Sequence, residues 1–192
     1  MNLRTADLLI CVLNSCTILA TEWTEYGFVG NSGLDAIGKL REELIQRPTF
    51  KLIALHHHLL PVIGVEAPNN KGVTLTLDAS DLLDAAQRAG VHIALHGHQH
   101  MPRLARYQTI PLLGGGSSTQ PLNVVSNGST GVVRPRLPGS ERNTYCVFRF
   151  DENDVHLWMR EIRPDGKEGA NLFEGHLDIC PERPTKAADT FC

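Results

Sequence analysis

The chain lacks the features of a membrane, secreted or nucleic-acid-binding protein. Nowhere in its 192 residues does an apolar run approach the ~18 residues a membrane helix needs. The nearest candidate, Leu8–Leu13, is short, follows Asp7 and is closed by Asn14-Ser15. A signal peptide is not expected either: there is no basic leading region, and Thr17–Ala20 imitates a cleavage site poorly. The five cysteines (Cys11, Cys16, Cys146, Cys180, Cys192) are odd in number, with neither Cys-x-x-Cys nor any paired spacing. That argues against a disulfide framework and for a reducing, cytoplasmic compartment. Lys and Arg number 18 against 21 Asp and Glu, a net charge of -3 with no basic stripe, so a binder of nucleic-acid backbone is not expected. Tyrosine and tryptophan are scarce, at three and two. There are no internal repeats.

Histidine, by contrast, is abundant: nine residues, which points to metal or acid–base chemistry. The densest stretch is Val91–His100, where Ile93-Ala94-Leu95 runs into His96, Gly97, His98 and His100. Imidazoles are costly to crowd, because proximity lowers their proton affinity and each ring nitrogen still needs a partner. A divalent metal is the usual reason for crowding them. A second cluster, His56-His57-His58, lies upstream.

Hydrophobic residues make up 42% of the chain, enough for a core within one domain or one domain with an extension. Leu8–Leu13 reads as a buried strand. Ser32 and Asp35 resemble a capping box opening a helix over 33–46, with Leu34, Ile37, Leu40, Leu44 and Ile45 as its apolar stripe. Pro48 stops it. Phe50–Leu55 is a second buried strand, ending at the histidine triplet. A long loop with Pro61, Gly64, Pro68 and Gly72 follows, of the kind that rims active sites. A helix capped by Asp78 or Ser80 carries Leu82, Leu83, Ala86 and Ala89 inward, with Gly90 at its left-handed C-terminal position. His92–Leu95 is the third strand.

Strand–helix–strand units make parallel neighbours. Both histidine clusters then fall at the carboxyl ends of adjacent strands, where open parallel sheets bind their ligands. Three imidazoles, one from the 56–58 triplet together with His98 and His100, suit Zn, Fe, Mn, Co or Ni. Gly97 would let the backbone turn sharply between them.

Beyond Met101, Leu104–Tyr107 and Ile110–Leu113 read as a short hairpin. A loop rich in Gly and Ser then runs to about Ser140. Tyr145–Phe150 and Val155–Met159 form a hairpin over Asp151–Asp154, with Val155, Leu157 and Met159 on one face and His156, Trp158 and Arg160 on the other. From Pro181 onward the chain reads as a mobile tail. Residues 1–162 are expected to form one unit and residues 163–192 a C-terminal extension, partly mobile.

His56-His57 after an apolar strand, Pro61 a few residues on, and Gly97-His98-Gln99-His100 after the next strand together resemble the C-terminal half of the calcineurin-like metallophosphoesterase family. The flavour is that of the bacterial cyclic-nucleotide and glycerophosphodiester phosphodiesterases. Asn14-Ser15 at the end of the first strand, and Gly27 leading to the helix, fit the same half. The likeness covers roughly residues 8–113. It implies an α/β fold, part of an αββα sandwich, with parallel strands carrying histidines at their C-terminal ends and a β-hairpin region after them.

The resemblance also implies two divalent ions (Mn, Fe, Zn or Co), with His56 and His98 on one and His100 on the other. His57 and Gly97 would support the ligands or face the substrate. His58 is expected to be structural, His96 satisfied or solvent-facing, His92 an edge or core residue, and His156 and His176 surface positions. The implied reaction is hydrolysis of a small phosphomonoester or phosphodiester by metal-bound hydroxide.

Three motifs of that family, Asp-x-His, Gly-Asp-x-x-Asp and Gly-Asn-His, are absent; Gly30-Asn31-Ser32 does not match the last. No catalytic residue is therefore assigned. The chain is expected to be a truncated form, weakly active or inactive alone, with an N-terminal half or a second copy as partner and Leu8–Leu13 left with an unpaired edge. The reading from another class is a non-enzymatic metal-binding or interaction module that completes a partner's site. The blandest is a histidine-rich α/β domain without metal.

Overall fold

Runs of branched apolar residues, separated by two amphipathic helices, set the architecture. The structure is a computed structural model that describes residues 6–17, 26–43, 45–61, 75–110, 120–133, 137 and 142–183. Its elements in chain order are β1 (Asp7–Val12), α1 (Gly30–Glu42), β2 (Thr49–Ala54), α2 (Ala79–Arg88), β3 (Ile93–His96), β4 (Arg103–Tyr107), β5 (Leu122–Ser126), β6 (Thr144–Asp151), β7 (Asp154–Glu161) and β8 (Asn171–Leu177). A five-stranded sheet has the order β1-β2-β3-β5-β4, and a three-stranded sheet the order β6-β7-β8. β1, β2, β3 and β5 are parallel and β4 is antiparallel to β5.

Alternation along the strands supplies two cores, because successive side chains leave opposite faces of a sheet. Ile53, Ala94 and Val124 pack with Ile37 and Leu40 of α1 and Leu82, Leu83 and Ala86 of α2. Leu8, Phe50, Leu52, Ile93 and Val125 pack the other face against Val155, Leu157 and Met159 of the second sheet. The expected α/β class, the parallel strands and the inward face of β7 are all present.

Several local expectations change. β4 pairs with β5, which lies inside the stretch read as a Gly/Ser loop, while the expected hairpin partner Ile110–Leu113 lies outside the described residues except for Ile110. Leu122-Asn-Val-Val-Ser is only five residues long, and all five are buried. So short a run between Gly-rich segments carries too little periodicity to stand out. β8 was also missed, and it joins β7 across the 162/163 division. The tail does not begin at Pro181: Glu182 exchanges both backbone hydrogen bonds with Thr49, at 2.8 and 2.9 Å. Its carboxylate pairs with the ammonium of Lys51, whose side chain is buried inside β2.

The helix cap also comes from elsewhere. α1 starts at Gly30, not 33, and has no cap from its own side chains. The carboxylate of Asp78 accepts from Val29 N (3.2 Å) and Gly30 N (2.7 Å). Asp78 precedes α2 but gives it no side-chain cap. It thus ties the two helices together and places negative charge at the N-terminal end of α1. Asp78→Ala should cost about 1–2 kcal/mol in chemical denaturation, at the upper end for one cap, because two amides lose their acceptor.

β1 pairs with β2 alone among the described residues. Ile10 and Val12 are 49% and 77% exposed there. Among the described residues no helix is long and apolar enough to cross a membrane. Cys11, Cys16, Cys146 and Cys180 are free thiols. Residues 62–74 of the long loop expected to rim the site lie outside the described residues, as do 114–119 of the Gly/Ser loop.

Candidate metal centre

Parallel register carries three segments to one edge. Leu52 and Ala54 of β2 lie level with Ile93 and Leu95 of β3, so both strands end together. Beyond their ends, Leu55 N donates to Leu95 O (3.0 Å) and Gly97 N donates to His56 O (3.0 Å). The two histidine-bearing loops are therefore laced by backbone before any side chain is considered. β1 contributes Ser15, which is almost wholly buried.

At this edge His56, His57 and His98 each present a ring nitrogen, and the three atoms lie within 4.8 Å of one another. His98 Nδ1 and His56 Nε2 are 2.9 Å apart. The rings of His56 and His98 meet edge to face, centroids 4.8 Å apart, and that of His57 is 4.6 Å from His98. The donor set suits a late first-row divalent ion. Ligand nitrogens at ~2.0–2.1 Å from such an ion would need only a few tenths of an ångström more separation than His56 and His98 show. No carboxylate joins the group among the described residues. The described residues therefore supply a donor set for one ion and no carboxylate to bridge a pair.

His56 and His98, both named from the sequence, are thus brought together. His57 is in the group with them. His100 lies outside it, though close enough that its charge bears on His98. The sharp turn expected at Gly97 falls on its neighbours instead: His98 and His100 adopt left-handed backbone, φ 72° and 56°. Such conformations cost non-glycine residues roughly 1–2 kcal/mol each. A Cβ at Gly97 would meet only His56 O, at 3.9 Å, so that glycine is not sterically required. Backbone strain concentrated on candidate ligands is what preorganised sites show.

Ser15 and Gly27, which enter from the sequence only as parts of the family likeness, position the His57 ring. Ser15 Oγ accepts from the backbone amides of His56 (3.2 Å) and His57 (3.1 Å) and lies 2.9 Å from His57 Nδ1. With both lone pairs taken, the hydroxyl proton is left for Nδ1, which makes the neutral His57 ring an Nε2–H donor. Gly27 lies beneath the same ring: a Cβ there would sit 2.5 Å from His57 Cβ and 2.8 Å from Thr76 Oγ1. A serine closing a strand and a loop glycine carry no chemical signal by themselves. Only the topology brings them to the histidines.

The remaining histidines sort by burial. His92 is a core residue: its Nδ1 accepts from Lys51 N (3.0 Å) and its Nε2–H donates to Cys180 O (2.9 Å). His58 is wholly buried. His96 is buried rather than solvent-facing, and its Nδ1 has no hydrogen-bond partner.

Burial first, then the neighbouring imidazoles, pushes His57 and His98 down to about 4, with the Ser15 backbone opposing this at His57. Burial likewise lowers His96 to about 4. All three are neutral near pH 7 and available as donors. In the unfolded chain they titrate near 6.5, so between 6.5 and 4 the unfolded state binds more protons. Stability should hold above pH 6.5 and fall as pH drops through that window. The deeply buried His96 alone would contribute about 3 kcal/mol to the loss. Denaturant midpoints from pH 7.5 to 4 should show the decline, and His96→Gln should shallow it.

No family model matches the chain, and no curated protein matches it. Solved structures do. Vacuolar protein sorting 29 of Cryptosporidium parvum is 12% identical, with a TM-score of 0.34 over 88% of this chain and 96% of that one. Wild-type Vps29 of Entamoeba histolytica complexed with Zn2+ is 13% identical, with a TM-score of 0.32 over 84% and 98%. A predicted phosphoesterase of Streptococcus pneumoniae is 12% identical, with a TM-score of 0.31 over 84% and 96%. These neighbours have the calcineurin-like metallophosphoesterase fold.

Proposed function

We propose that the chain binds a divalent transition-metal ion at the carboxyl edge of its parallel sheet and belongs to metal-assisted phosphoester chemistry. The carrying observation is the convergence of His56, His57 and His98 nitrogens within 4.8 Å. His56 and His98 are the ligands in this reading. His57, held by Ser15 as an Nε2–H donor, is suited to hydrogen-bond a phosphoryl oxygen. His100, which the family likeness would place on a second ion, flanks the site, and the described residues supply no carboxylate to hold that ion there. A bound ion would provide Lewis-acid polarisation of a phosphoryl oxygen. The protein's own part is to fix the imidazoles by backbone lacing and by the strained turn.

With no carboxylate in the group and no general acid assigned, the chain alone is expected to be inactive or very weak as a phosphoesterase. Purified chain with Mn2+ and bis-p-nitrophenyl phosphate tests this. Metal binding with little or no turnover is the expected result. Rapid turnover that His98→Ala abolishes would refute the inactivity, and absence of bound metal would refute the reading as a whole.

A second reading, an interaction module that completes a site with another chain, is favoured by the open edge of β1. Ile10 and Val12 are exposed along that edge, and the same strand leads directly into Ser15. A strand added there would end beside the histidines. The free cysteines suit a cytoplasmic setting for either reading.

A further inference from the structure

A second pair of imidazoles lies on the outer face of the three-stranded sheet, away from the parallel-sheet edge. His156 of β7 and His176 of β8 are directly opposite in register. Their facing nitrogens, His156 Nδ1 and His176 Nε2, are 3.3 Å apart. Each ring meets a carboxylate on its other side. Asp154 Oδ2 accepts from His176 Nδ1, and Glu174 Oε1 stands 3.7 Å from His156 Nε2, which has no hydrogen-bond partner. Trp158 stacks on His156 with centroids 3.9 Å apart and fixes the ring plane. The Glu174 carboxylate is itself held by Asn171 Nδ2 at 2.8 Å.

Counting protons decides what such a row can do. Asp154 holds the proton of a neutral His176 ring on Nδ1 and leaves its Nε2 as a lone pair, while Glu174, 3.7 Å from His156 Nε2, favours the His156 proton there by charge rather than by a hydrogen bond. The two inner nitrogens then face each other as lone pairs. That arrangement is repulsive unless a cation lies between them. The 3.3 Å separation is long for a hydrogen bond, though within reach of one. It matches the roughly 3.3 Å that two nitrogens adopt when both bind one tetrahedral ion at ~2.0–2.1 Å. A histidine ligand whose other nitrogen donates to a carboxylate is the arrangement that orients and strengthens metal-binding imidazoles.

We propose that His156 Nδ1 and His176 Nε2 form a second divalent-metal site, oriented by Asp154 and Glu174 and independent of the one at the sheet edge. Imidazole donors select Zn2+, Cu2+ or Ni2+ over oxygen-seeking ions. His176 is 62% exposed in its side chain, so water or a ligand from solvent can complete the coordination. The nearby cations do not fill the gap: Arg149 lies over Trp158 and pairs with Asp151, and Arg160 reaches Glu168.

Calorimetric titration of the full chain with Zn2+ at pH 7.5 tests this. The wild type should bind two equivalents, His176→Gln one, and His156→Gln one. Asp154→Asn should weaken the second site roughly tenfold, as loss of a carboxylate behind a ligand does. If the sheet-edge site fails instead, the wild type binds one equivalent and His176→Gln none. His176 is exposed, so its substitution leaves the core intact, and an unchanged circular dichroism spectrum confirms the fold. Zinc stoichiometry unaffected by His176→Gln overturns the proposal. So does a pair that merely shares a proton, seen as His156 and His176 ring 15N shifts that do not respond to Zn2+.

Discussion

Gly27→Ala is expected to destabilise the fold by about 2–3 kcal/mol and to weaken metal binding at the sheet edge at least tenfold. The added methyl would lie 2.5 Å from His57 Cβ and 2.8 Å from its Cγ, closer than real Cβ atoms approach. Neither neighbour is a flexible end that can swing away. His57 is buried and tied to Ser15, and Thr76 is buried on the other flank. Overpacking of this kind costs ~1–3 kcal/mol, and the backbone must also shift. Because Gly27 O accepts from Leu77 N at 2.7 Å, a shift there disturbs the segment leading into α2. Melting temperature reads the first effect and Zn2+ titration the second. Gly97→Ala is the control, since a methyl there meets only one atom, at 3.9 Å.

Glu182→Ala should cost more, about 3–5 kcal/mol, the range for stripping one partner from a buried ion pair. Lys51 projects from the centre of β2 with a side chain 2% exposed. Its ammonium has the Glu182 carboxylate and, at 3.4 Å, the Ala89 carbonyl. Removing the carboxylate leaves a cation in an apolar setting with one neutral acceptor. Glu182 is 41% exposed, so solvent entering the gap would place the loss toward the lower end. Lys51→Met combined with Glu182→Ala should recover much of it, because an apolar side chain of similar length leaves no unpaired charge. Urea denaturation of the three variants measures the cycle. A loss under 1 kcal/mol in Glu182→Ala would show that the chain end contributes little.

Much of the site could be read from residue order alone. A parallel sheet sends every strand's carboxyl end to one side, so two apolar runs ending in histidine, with a helix between, already imply the meeting of His56 and His98. That inference needs period and chain direction, both of which short buried strands display. What sequence did not reveal depends on contacts between distant segments. Asp78 was expected to cap its own helix and caps α1 instead, because folding brings α1's first amides to it. Ser15 and Gly27 are ordinary residues made functional by what lies above them. Lys51 reads from sequence as one more residue of an apolar strand, and its partner lies 131 positions later, in a segment expected to be loose. β5 and β8 do not stand out for a simpler reason: β5 sits between segments rich in Gly, Ser, Asn and Pro, and β8 carries Gly175 in a mostly exposed run, so neither separates from loop.

The strained turn follows the same logic. Gly97 is where left-handed backbone would be free of cost, yet the left-handed residues are His98 and His100. The fold holds that conformation because Gly97 N is bonded to His56 O and Asn127 N to His96 O, which clamp the loop's start. What the turn accomplishes is to bring His98 Nδ1 within 2.9 Å of His56 Nε2.

The most direct test of the central claim is the zinc content of purified wild-type and His98→Ala chains after equilibrium dialysis at pH 7.5. If His56 and His98 hold the ion beside His57, the substitution removes one equivalent and leaves any metal on the outer sheet untouched. Wild-type and His98→Ala chains holding the same zinc would contradict it.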